Sequence, residues 1–232
     1  ATSGEHSYDD YRQAGAEPWG TEGVFLADLE AGEAPGPSFA DVPSDHWAYR
    51  YVEGLRGAGY VEGCSTAPAQ YCPERTMTRA ESAVFVVRGL RGVEERPPDP
   101  QEGIFADVGL AQWFAKWVHA LWEEGLTAGC GGSPPNYCPD REHTRAEAAV
   151  FFVRMLRGPD YQPPEPLEQV YNDVPVGETA PWSSKWIMAA YQLGLVQGCE
   201  SPAHAVPGSY RPAAPLTRAE AACMMVKAKG LQ

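Results

Sequence analysis

Apolar residues recur at steps of three and four in three separate stretches of the chain. They run Trp47, Tyr51, Leu55, Ala58, then Trp113, Trp117, Leu121, then Trp182, Trp186, Ala190, Leu193. That period puts an apolar stripe on one face of a helix. Twelve residues after each Trp stands a glycine, Gly59, Gly125 or Gly194, as a left-handed C-terminal cap requires. Ser44, following Pro43, is the expected N-cap of the first helix.

A second set of helices is signalled at its start. Thr78-Arg79-Ala80-Glu81, Thr144-Arg145-Ala146-Glu147 and Thr217-Arg218-Ala219-Glu220 each read as a capping box. In that motif the Thr hydroxyl takes the N3 amide proton and the Glu reaches back to the Thr amide. Apolar runs follow at Ala83–Val87, Ala149–Val153 and Ala222–Val226, closed by Arg88, Arg154 and Lys227, where a cation suits the negative end of the helix dipole.

These stretches are copies of one sentence. Each copy opens with Phe39-Ala40-Asp41-Val42, Phe105-Ala106-Asp107-Val108 or Tyr171-Asn172-Asp173-Val174. Sixteen residues after the Trp comes a Gly-Cys pair, at Gly63-Cys64, Gly129-Cys130 and Gly198-Cys199. A polar loop then leads to Tyr71-Cys72-Pro73, Tyr137-Cys138-Pro139 or Tyr210-Arg211-Pro212, and the capping box starts five residues past each Pro. The expected organisation is an N-terminal segment (1–38), a leader or docking arm, and repeats at 39–92, 105–157 and 171–229. Pro-rich connectors at 94–103 and 158–168 separate them. Each repeat reads as helix, exposed loop, helix, and the fold is mainly α. One helix pair cannot bury its stripe alone, so the three should share a core. A short strand is expected near Gly23-Val24-Phe25-Leu26, and Pro18-Trp19 is apolar enough to dock.

Charge narrows the partners. Eighteen basic against 31 acidic residues give a formal charge of −13, which disfavours nucleic acid and anionic membranes. No apolar run is long enough to span a bilayer. The start, Ala1-Thr2-Ser3-Gly4-Glu5, reads as a mature end left by signal cleavage. Six cysteines suggest an oxidising compartment and a secreted protein. Cys64–Cys72 and Cys130–Cys138 should close short loops, since no His sits between them to suggest zinc. Cys199 and Cys223 are expected to form a third bridge, with two buried thiols as the alternative.

The pattern Phe-x-Asp-Val, Trp, Gly, Thr-Arg-Ala-Glu, repeated from Phe39 to Lys229, resembles the S-layer homology family. The resemblance implies one pseudo-threefold, spindle-like helical domain with projecting loop prongs. It also implies grooves between prongs that bind anionic, often pyruvylated, secondary cell-wall polysaccharide, and a place on the cell surface, in the wall or S-layer. Carried over, the ligand arginines are Arg79, Arg145 and Arg218. The alternative is that each Arg pairs internally with Asp41, Asp107 or Asp173. Those aspartates are candidate polymer contacts too, though caps or internal partners are their simpler role. Trp47, Trp113 and Trp182 belong by default to the core, with stacking on a sugar at a groove edge as the alternative.

The loop cysteines, Arg211 in place of a second Cys, and the absence of visible cargo depart from the family pattern. Another reading is therefore a structural subunit of an S-layer, sheath or filament, joined to other subunits through the N-terminal segment. No Gly-x-Ser-x-Gly, His-Glu-x-x-His or phosphate loop occurs, and the five His do not fall at equivalent positions, so neither enzyme, cofactor nor metal is expected.

Overall fold

The computed structural model describes residues 36–231. The expected strand at 23–26 and the Pro18-Trp19 docking element lie outside the described residues. Six helices carry the fold: α1 (Tyr49–Gly57), α2 (Arg79–Arg91), α3 (Ala115–Glu123), α4 (Arg145–Arg157), α5 (Ser184–Gln192) and α6 (Arg218–Lys229). A two-strand hairpin, β1 (Ser65–Thr66) with β2 (Ala69–Gln70), forms in the loop between α1 and α2. Among the described residues no helix is long and apolar enough to cross a membrane.

The short helices begin later than the apolar pattern suggested. Their N-caps are Ala48, Phe114 and Ser183, none with a side-chain cap bond. Ser44 is therefore not a cap, and Trp47, Trp113 and Trp182 precede their helices. The C-terminal glycines do act as read: Gly59, Gly125 and Gly194 have φ of 78°, 67° and 74°. There the amide of the next residue returns to a carbonyl five back, as in Tyr60 N–H to Leu55 O at 2.9 Å, which closes a Schellman cap. The three long helices all start with complete capping boxes on Thr78, Thr144 and Thr217.

Packing crosses the repeat boundaries. α2 lies on α3, α4 on α5, and α6 on α1, so each long helix buries its stripe against the next repeat's short helix. Between them the segments just before the long helices bond in a ring. Met77 N–H donates to Leu216 O, Leu216 N–H to His143 O, and His143 N–H to Met77 O, at 2.8–2.9 Å. Buried side chains from all three repeats form one hydrophobic cluster, in which Tyr71, Tyr137 and Tyr210 are among the largest.

Candidate functional site

Each repeat's Asp anchors the turn that receives the neighbouring helix. Asp41 accepts the amides of Tyr71 and Cys72, Asp107 those of Tyr137 and Cys138, and Asp173 those of Tyr210 and Arg211, all at 2.7 Å. The pair of bonds holds the second residue of each turn at φ near 60°: 57° at Cys72, 58° at Cys138 and 60° at Arg211. Such a backbone is rare outside glycine and persists only where its surroundings fix it. Both oxygens of Asp41, Asp107 and Asp173 are thus occupied by the turn. None of the three lines the two grooves described below.

Into each turn comes the Arg of the preceding long helix. Arg79 donates Nε to Tyr137 O at 2.9 Å, Arg145 to Tyr210 O at 2.8 Å, and Arg218 to Tyr71 O at 2.8 Å. Each guanidinium lies over the same Tyr ring, 4.6–4.8 Å from its centroid. The Tyr hydroxyl returns a bond to the Arg carbonyl. Burial pushes the Tyr71 phenol up to about 12, against the pull of Arg218, and raises Tyr137 and Tyr210 as well. The first two amides of each long helix also cross the seam, as Arg79 N–H to Arg141 O and Ala80 N–H to Pro139 O do. The orphan donors of the helix start are therefore used to join repeats.

The anticipated Arg–Asp pairing does not occur. Arg79 instead meets Glu147 at 3.0 Å and Arg145 meets Glu220 at 2.7 Å. Arg218 differs: its counterpart acid, Glu81, is held by Arg75 at 2.7 Å. Among the described residues Arg218 has no carboxylate partner. Arg79 and Arg145 are each only 3% exposed, whereas Arg218 is half-buried.

Two grooves open beside these seams. One, of about 240 Å³, is lined by Tyr60–Gly63 of the loop, by Glu81, Val84, Phe85 and Arg88 of α2, and by Arg218 and Trp113. Its counterpart, of about 310 Å³, has Leu126–Gly129, then Glu147, Val150, Phe151 and Arg154 of α4, with Arg79 and Trp182. Trp113 and Trp182 are 61% and 62% exposed. The default expectation of core packing fails for these two because they sit in turns ahead of the helices. Trp47 is half-buried.

Each groove also holds a second cation that reading the sequence assigned only to a helix dipole. Arg88 stacks over Trp117 at 5.3 Å and Arg154 over Trp186 at 5.0 Å. Neither Nε has a hydrogen-bond partner, and burial pulls both guanidiniums below their usual value. Arg154 donates one bond, to Leu126 O at 3.3 Å. A half-buried cation whose buried Nε lacks an acceptor is stabilised by an incoming anion. The signal available in the sequence was that Arg88 and Arg154 follow a buried Val in matching places.

Disulfides join Cys64 to Cys72, Cys130 to Cys138 and Cys199 to Cys223. The first two close the loops between the short and long helices, and the third ties a loop to α6. Among the described residues no cluster of three or more His, Cys, Asp or Glu side chains could hold a metal.

No family model matches the chain. The S-layer protein of Bacillus thuringiensis subsp. finitimus is 26% identical over 215 residues, 88% of this chain and 23% of that protein. The amylopullulanase of Thermoanaerobacterium thermosulfurigenes is 29% identical over 196 residues, 81% of this chain and 9% of its own length. The middle cell wall protein of Brevibacillus brevis is 28% identical over 155 residues, covering 66% of this chain and 13% of that protein. The chain is similar to surface-layer and cell-wall proteins. It spans less than a quarter of the length of each of these relatives.

Proposed function

We propose that this chain is a non-catalytic module of a secreted cell-surface protein, and that it holds anionic cell-wall polysaccharide in the grooves at its repeat seams. The observation that carries this reading is the recurrence, in two grooves, of a lining with two arginines and an exposed Trp. Arginine offers a planar fork to a carboxylate such as a pyruvate ketal, and an indole face covers the apolar side of a sugar ring. The local cations let a chain of net charge −13 accept an acidic polymer. The relatives support a non-catalytic role. One chain-length segment is shared by a protein named as a glycosidase and by one named as an S-layer protein, which a surface-attachment part explains and a catalytic part does not.

The test is co-sedimentation of the oxidised protein with cell-wall sacculi, before and after removal of accessory polymers. Trp113→Ala with Trp182→Ala, and Arg88→Gln with Arg154→Gln, change groove residues, and melting of each variant checks that losing the stacking of Arg88 on Trp117 and Arg154 on Trp186 leaves the fold intact. Each pair should weaken binding about tenfold or more, the loss of a single charge-assisted bond being worth at least about 1.5 kcal/mol. Stripping the polymer should abolish binding. A folded protein that ignores walls and self-associates instead would favour a structural-subunit role.

A further inference from the structure

Both open grooves lie between a loop wall and a long-helix wall. In the third seam the same two walls are fastened together. The loop position after Gly198 is Cys199, and the α6 position matching Val84 and Val150 is Cys223; these two are disulfide-bonded. Lys227, which matches Arg88 and Arg154, donates from α6 to the Gln197 carbonyl on the loop wall. Arg211, standing where the other repeats have Cys72 and Cys138, turns to Glu200 at 2.9 Å and to the fully buried Glu220 at 3.3 Å. Arg145 donates to Tyr210 O and Cys199 O and pairs with Glu220, so it contacts the loop carbonyl at Cys199 as well as its Tyr and Glu partners.

We propose that the seam between the second and third repeats is a permanent structural joint, so the chain carries two ligand sites. The proposal rests on the groove-binding reading above. Its chemistry is a cysteine re-pairing. With Arg211 replacing the loop cysteine, Cys199 is free to bond across the groove rather than along the loop. Arg211 keeps the backbone of its counterparts, with φ of 60° and its amide on Asp173. The original pairing is therefore geometrically restorable.

The experiment is calorimetric titration of the full chain with a methyl glycoside carrying a pyruvate ketal. The unaltered protein should bind two equivalents. The double change Arg211→Cys with Cys223→Val, with the loop bridge verified by peptide mapping under non-reducing conditions, should bind three. Three equivalents on the unaltered chain, or no gain in a correctly bridged variant, overturns the proposal. No binding by either protein defeats the groove-binding reading itself. The joint is then judged by melting. Arg145→Lys should lower the melting temperature by several degrees more than Arg218→Lys; equal losses would overturn it.

Discussion

At the residue scale the seams depend on groups that satisfy one another across repeats, and His143 is where that accounting fails. It occupies the ring position of Met77 and Leu216, is 1% exposed, and neither ring nitrogen has a partner. Burial is the main cause that drives its imidazole down to about 3 from 6.5, opposed by Glu147 and reinforced by Arg79 and Arg141. Between those values the unfolded chain binds a proton that the folded protein refuses. Stability from this group is complete above pH 6.5 and falls as pH drops toward 3. Glu147 adds to the trend. Burial raises its carboxyl, but the Thr144 amide, His143 and the arginines hold it below the usual value, so its contribution also disappears on acidification. His143→Met should therefore make unfolding less acid-sensitive, with a gain at pH 5 of about 2 kcal/mol over that at pH 8. Urea unfolding at the two pH values would show it; an unchanged difference would exclude the mechanism.

At the element scale the long helices depend on their caps because their first amides are shared between the box and the neighbouring repeat. Thr144 Oγ1 accepts from Glu147 N–H at 3.2 Å, and Glu147 Oε2 accepts from Thr144 N–H at 3.0 Å. Thr144→Ala removes one of these and should cost about 1–2 kcal/mol by chemical unfolding. The same change in a short helix has no counterpart, since those helices lack side-chain caps. They are fixed instead at their C-terminal glycines and by the long helices they pack on. The tryptophans show why periodicity misplaced an element boundary. Trp113 continues the three-four spacing of Trp117 and Leu121, yet a residue two positions before a helix start is free to point outward.

At the scale of the whole molecule, the ring of bonds through Met77, His143 and Leu216 and the α6–α1 contact make the repeats interdependent. A chain ending at Arg157 leaves α1 without α6 and α4 without α5. It should lose most of its helical circular dichroism rather than a third of it, while the intact chain melts in a single calorimetric transition. Retention of two-thirds of the helix signal would show that the repeats fold separately.

The sequence alone determined the repeat, the helix–loop–helix order, the capping boxes and the glycine caps, because these follow from interactions between residues a few positions apart. It also brought Arg79, Arg145 and Arg218 to notice through their constant place in the motif. Only the tertiary structure decided what each one meets, since their partners Tyr137, Tyr210 and Tyr71 lie 58, 65 and 147 residues away. The same holds for the exposed faces of Trp113 and Trp182, the groove-facing Arg88 and Arg154, and the stapled third seam. Those depend on which walls the fold sets opposite each other, and wall-to-wall distance has no signature along the chain.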